Sequence, residues 1–174
     1  MLQIIGLVAG FLLILAVSWP SLRPPRRHGF YRFFAWIGIL LLLVLNAPVW
    51  FRDPFSPLQI ASWLVLAASA CLAGYGFYLL RTVGRPQGSV ENTTTVVRVG
   101  AYRYIRHPLY ASLLLLAVGI FLKAPSLTGV ILLALVAICL VATARVEEQE
   151  NLARFGQPYA DYMKTTKMFV PWMW

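Results

Sequence analysis

Residues 109–144 read LYASLLLLAVGIFLKAPSLTGVILLALVAICLVATA. Two uncharged apolar runs, Leu109 to Leu122 and Leu127 to Ala144, flank Lys123-Ala124-Pro125-Ser126. Four residues leave room only for a tight turn, so the stretch predicts an antiparallel helical hairpin. A helix that crosses a bilayer needs about 20 mostly apolar residues. The second run approaches that length, while the first supplies about 20 Å of helix against a hydrocarbon core of about 30 Å. The start of the first run is therefore expected to be recessed into the headgroup zone.

Upstream, Leu2 to Trp19, Phe33 to Trp50 and Leu58 to Leu80 are likewise apolar and free of charge. Of the 174 residues 60% are hydrophobic and 12% charged, against about 25% charged in an ordinary soluble domain. The expectation is a single all-α membrane domain over residues 1–174. It has about five transmembrane helices near 2–19, 33–50, 58–80, 109–122 and 127–144, a loop over 81–107, and a C-terminal helix and tail over 145–174. The first run is read as a retained helix. No basic residue precedes it, and it ends in Ser18-Trp19-Pro20 rather than a small-x-small cleavage site.

The net charge of +9 would suggest nucleic acid if the basic residues lined one polar surface. Their distribution fits alternation across a membrane instead. One face receives Arg23, Arg26, Arg27 and Arg32, then Arg81, Arg85, Arg98, Arg103 and Arg106, then Arg145, Arg154, Lys164 and Lys167; the other receives Arg52 and Lys123. The positive-inside rule makes the loaded face cytoplasmic. Topology and contact with anionic membrane lipids account for the charge, and no nucleic-acid partner is needed. Cys71 and Cys139 lie within apolar runs and read as small packing residues, so no metal site is expected.

Function then belongs to the cytoplasmic segments. Pro20 to Arg32 reads as a stiff basic connector. Gly84-Arg85-Pro86-Gln87-Gly88-Ser89 is turn-rich, and the polar to β-branched stretch Asn92 to Val97 reads as an ordered loop. Arg145 to Phe155 is a good helix former ending at Gly156, and Pro158 restarts a short segment bearing Tyr159 and Tyr162. Phe169, Pro171, Trp172 and Trp174 suit the membrane interface.

The open end of the hairpin brings distant polar groups to one rim. His107 lies 16 residues before Lys123 and Glu147 lies 21 after Ser126, a difference in depth of roughly 8 Å. Pro108 fits a first helical turn, which puts His107 at the cap. The amides of Leu109 and Tyr110 then carry the positive end of the helix dipole, suited to a carboxylate. Glu147 suits an ammonium or sulfonium, and Tyr102, Tyr104 and Tyr110 add aromatic faces for a cation. Such a set complements a zwitterionic sulfonium cofactor. The plainer alternative is an interfacial ion-pair network of Arg103, Arg106, Glu147, Glu148 and Glu150.

The run Gly100-Ala101-Tyr102-Arg103-Tyr104-Ile105-Arg106-His107-Pro108-Leu109-Tyr110, the hairpin, Glu147-Glu148, then Phe155-Gly156-Gln157-Pro158-Tyr159-Ala160-Asp161-Tyr162 and Pro171 resembles the isoprenylcysteine carboxyl methyltransferase family and its phospholipid methyltransferase relatives. The resemblance covers roughly the last half of the chain, from Gln87 onward. It implies an S-adenosylmethionine-dependent methyltransferase with a cytoplasmic cofactor pocket. By the resemblance, Gln87, Thr94, Thr95, Val96, Val97, Tyr102, His107, Pro108, Leu109, Tyr110 and Glu147 would contact the cofactor. Arg145 and Glu148 would be the catalytic candidates, Arg145 holding a substrate carboxylate and Glu148 or His107 serving as base if one is needed. Thr143 stands where the family pattern places an arginine.

The implied acceptor is a lipophilic or lipidated molecule entering from the bilayer, first of all a prenylcysteine-type carboxylate. A phospholipid amine and a thiol are the alternatives for the same cofactor site. Two other classes, a sterol-reductase-like oxidoreductase and a non-catalytic membrane scaffold, are disfavoured by size and by the intact Tyr, His107 and Glu147 set respectively. Oligomeric state is not legible.

Overall fold

A computed structural model describes residues 2–22, 28–88 and 92–171. All regular elements among them are helical: α1 (Leu2–Leu22), α2 (His28–Asn46), α3 (Pro57–Thr82), α4 (Pro108–Phe121), α5 (Leu127–Phe155) and α6 (Gln157–Thr165), with short 3-10 turns at Ala47–Val49 and Gly100–Arg103. Among the described residues three segments are long and apolar enough to cross a membrane: His28–Val49, Pro57–Thr82 and Leu127–Phe155. Gln3–Trp19 and Pro108–Phe121 are shorter apolar helices. Arg23 to Arg27, Ser89, Trp172 and Trp174, used in the sequence reading, lie outside the described residues.

Two expected boundaries differ. α2 begins at His28, five residues before the apolar run at Phe33, so the end of the expected connector is helical. α5 does not stop where charge begins at Arg145 but continues to Phe155. No glycine or proline interrupts 130–155, and Arg, Glu, Gln, Leu and Ala are all good helix formers. The apolar span and its polar extension are thus one helix, ended at Gly156 by a positive φ of 61°.

The chain forms two compact units. The first comprises residues 1–67 and 114–146. Its buried apolar residues include Ala35, Ile39 and Leu42 of α2, Ala117 and Ile120 of α4, and Val136 and Leu140 of α5. A Cβ at Gly38 would come 2.5 Å from Val136 Cγ2, so glycine is what lets α2 and α5 approach there. At the turn between α4 and α5, Lys123 is only 3% exposed. Its Nζ donates to Gln59 Oε1 (3.1 Å) and sits 3.5 Å from the centre of the Trp63 ring, while Gln59 Nε2 donates to the Lys123 carbonyl (2.8 Å). A buried ammonium is held by an amide and an indole face.

The second unit comprises residues 68–113 and 147–174. Ser69 of α3 donates to the Ser112 carbonyl of α4 (2.7 Å). Leu79, Val97 and Tyr102 form an apolar cluster within it, with Leu80 against it. Gly100, at φ 57°, permits this packing: a Cβ there would meet the Tyr75 hydroxyl and lie 2.7 Å from Leu79 Cδ1.

Candidate active site

The site is built on the N-terminus of α4. Pro108 has no N–H to leave unsatisfied at the first helical position, and the Ala111 amide donates to the His107 carbonyl at 2.9 Å. His107 therefore occupies the cap position, as its sequence context predicts. The residue is 4% exposed, and its ring stacks on Tyr110 (centroids 5.5 Å, 20° between planes) and meets Phe169 edge-on at 6.2 Å.

Two carboxylates from the polar extension of α5 reach this end of α4. Tyr110 Oη donates to Glu147 Oε2. Glu148 Oε1 lies 3.2 Å from His107 Nε2 and 2.6 Å from Arg106 Nε. Glu148 is 7% exposed. Burial alone would push its carboxyl pKa up, but hydrogen bonds from His107 and Arg106 and the charges beside it outweigh that and hold it below the usual carboxylate range. Glu148 is therefore ionised at neutral pH and accepts from both neighbours.

Arg106 does more than neutralise it. Its Nη1 donates to the carbonyls of Met163 (3.2 Å) and Thr166. The chain following α6 lies along the chain preceding α4: Arg106 N donates to Lys167 O (2.7 Å), His107 N to Met168 O (3.2 Å) and Lys167 N to Tyr104 O (3.1 Å), around an Ile105–Lys167 parallel bridge. Tyr162 Oη donates to the Tyr102 carbonyl at 2.7 Å. Arg98 donates to the Pro158 carbonyl and covers the Tyr162 ring. Burial pushes the phenols of Tyr102, Tyr159 and Tyr162 up, and for Tyr102 the nearby Glu147 carboxylate adds to the effect. They remain protonated over any ordinary pH.

The loop residues are held by bonds to backbone carbonyls, donated by amides and threonine hydroxyls alike. Thr94 N and Oγ1 donate to the Gly84 carbonyl, Oγ1 also to Arg85 O (3.1 Å), and Thr95 Oγ1 to Val83 O (3.1 Å). Gln87 N donates to Asn92 O (3.0 Å). The side chains of Gln87, Thr94 and Thr95 are exposed, Val96 is half-buried, and Val97 is a core residue.

Of the residues singled out in the sequence, His107, Tyr110, Glu147 and Glu148 meet at one point, while Pro108 and Leu109 of the same helical turn lie against Gly76 of α3. Tyr102 is joined to them through Tyr162 and α6. Residues 92–97 are tied to Tyr102 through Val97. Arg145 is an exposed residue of the first unit, and Thr143, buried there, donates its hydroxyl to Cys139 O (2.8 Å). Arg106 entered the sequence reading as a member of an ion-pair network with Glu148, a pair the structure forms, and Phe169 as an interface residue; neither was assigned to the cofactor site. An arginine beside a membrane span reads as an orientation signal, and backbone pairing of an extended segment leaves no side-chain pattern to find.

In this donor set the Glu147 carboxylate suits a cation, the amides of the first turn of α4 suit an anion, and Tyr110 offers an aromatic face beside both. Those are the complements of a zwitterionic sulfonium, and the residues present fit such a group. Metal-holding clusters of His, Cys, Asp and Glu are absent among the described residues.

The profile of the phospholipid methyltransferase family matches residues 58–160. That is more than half of the 174 residues and includes every candidate site position from Gln87 to Glu148. No curated protein matches the chain.

Proposed function

Because this chain belongs to the phospholipid methyltransferase family, a family of membrane methyltransferases, we propose that it methylates a lipophilic acceptor using S-adenosylmethionine bound at the N-terminus of α4. The observation that carries the proposal is the paired contact of Tyr110 with Glu147 and of His107 with Glu148. The proposed topology has five membrane-crossing helices, with the basic face and the cofactor site cytoplasmic, in keeping with the charge asymmetry.

The bound cofactor would supply a methyl group on a positively charged sulfur. Glu147 and the ring of Tyr110 would hold the cationic part, and the amides of Leu109 and Tyr110 the amino-acid carboxylate. Tyr102 and the backbone of 94–97 would continue the wall. The burial of His107 and Glu148 would exclude water from the rim, which strengthens every charge interaction there. Positioning of this kind is the main contribution a protein makes to such a transfer.

A prenylcysteine-type carboxylate is the first proposed acceptor. It is already ionised at neutral pH and needs no base, and Arg145 is the proposed cation for it. A phospholipid amine is the second reading, favoured by the description of the matching family and by Thr143, whose hydroxyl is engaged with Cys139 and which carries no charge. An amine or a thiol must lose a proton, and His107, oriented through Nε2 by Glu148, is the group best placed to take it. The test is methyl transfer from radiolabelled cofactor to a panel of prenylcysteine, aminophospholipid and alkylthiol acceptors in lipid. Labelling of one class identifies the acceptor; labelling of none, with the protein folded, contradicts the proposal.

A further inference from the structure

Arg106 and the segment that follows α6 form a latch whose consequences go beyond ion pairing. The guanidinium spends Nε on Glu148 and Nη1 on the carbonyls of Met163 and Thr166. Its backbone N–H and that of His107 donate to Lys167 and Met168, and Lys167 donates back to Tyr104. One residue thus touches the carboxylate that holds His107, the end of α6 and the strap beyond it. The strap in turn places Phe169 against the His107 ring. Residues 166–169 lie beyond the 58–160 match, so this wall is a feature of the chain rather than of the matched region.

We propose that Arg106 is a positioning residue for the methyl-donor site and that the strap Thr166–Phe169 is its rear wall, fastened by Arg106 so that Glu148 and His107 keep one arrangement. A planar guanidinium is suited to this because its donors point in fixed, divergent directions. Lysine would keep the charge but could not span the carboxylate and two carbonyls in that geometry. The inference rests on the proposed cofactor site, and its test separates the two.

Three full-length variants in lipid are compared: Arg106→Met, Arg106→Lys and Lys167→Pro. The last removes the Lys167 N–H that donates to Tyr104 without altering a side chain of the site. The residue before it, Thr166, has φ −126° and ψ 160°, a conformation that a following proline accepts. Binding of S-adenosylmethionine is measured by calorimetry, and amide hydrogen exchange is followed at Arg106, His107 and Lys167. The wild type should bind, Arg106→Met should weaken binding about tenfold or more, the scale of a lost hydrogen bond to a charged group, and Lys167→Pro should weaken it about severalfold, the scale of a neutral one. Both should also expose the Arg106 and His107 amides, and Arg106→Met the Lys167 amide as well, which the proline variant lacks; Arg106→Lys should fall between them and the wild type. A wild type that fails to bind overturns the proposed function. Wild-type binding with unchanged affinity in folded Arg106→Met or Lys167→Pro protein overturns the latch. So does weakened binding in Arg106→Met alone with the strap amides still protected, which would make Arg106 a local ion-pair partner only.

Discussion

Arg106 Nε lies 2.6 Å from Glu148 Oε1, and the two residues are 42 positions apart in the chain. The side chains are about 10% exposed on either side of the pair, so this bond and the His107 contact on the same oxygen fix a buried charge at the start of α4. Truncating one member leaves the other charge buried and unpaired, which costs about 3–5 kcal/mol.

Glu148→Gln should therefore lower the melting temperature in detergent or lipid at pH 7, and the loss should depend on pH in a defined direction. The Glu148 carboxyl is held below its ordinary value in the folded protein. Its contribution is fully present above the unfolded-state value of about 4.3 and is lost as pH falls through the lower folded value. The wild-type and Glu148→Gln melting curves should be separated by a constant interval at neutral pH and converge below about pH 4. A separation that persists unchanged into acid would contradict the ion-pair assignment.

Tyr110→Phe removes the hydroxyl that donates to Glu147 and nothing else. The ring stack on His107 survives. The expected outcome is a folded protein of near wild-type melting temperature whose affinity for S-adenosylmethionine falls by about 10- to 100-fold, because Glu147 loses its orienting donor. Calorimetric titration measures it, and unchanged affinity would remove Glu147 from the site.

Lys123 supplies a contrast, since no role in the reaction is assigned to it. Lys123→Met leaves Gln59 Oε1 without its ammonium and Trp63 without its cation. It should cost about 1–3 kcal/mol of stability. Turnover per folded molecule should be unchanged, as read from thermal melts alongside activity normalised to folded protein.

Gly100→Ala acts on the backbone. The left-handed φ of 57° disfavours any side chain, and the added Cβ meets Tyr75 and Leu79. Strain alone is worth about 1–2 kcal/mol. The 3-10 turn that presents Tyr102 should loosen, seen as faster amide exchange at Tyr102 and Tyr104, with weaker binding of the methyl donor.

The hairpin and the meeting of His107 with the Glu147–Glu148 pair were legible because they follow from chain geometry. A four-residue turn, a proline that starts a helix and two counts along a fixed rise determine which residues share a rim. The stop at Gly156 was legible too, but the continuity of α5 through Arg145 was not. The onset of charge at Arg145 marks where a helix leaves hydrocarbon, and helix-forming residues continue well past it. Arg106 was legible as an ion-pair partner of Glu148 but not as a donor to Met163 and Thr166, whose carbonyls leave no mark in the sequence. The strap was hidden because its bonds to Tyr104, Arg106 and His107 are made through backbone groups, which any sequence supplies equally.

The central claim is that Glu147 at the N-terminus of α4 holds a positively charged methyl donor, and Glu147→Gln addresses it most directly because it removes the charge while keeping the shape. Calorimetric binding of S-adenosylmethionine to wild-type and Glu147→Gln protein in lipid should give clear binding for the first and at least about a tenfold loss for the second. Equal affinity in the two folded proteins, or no binding to either, would contradict it.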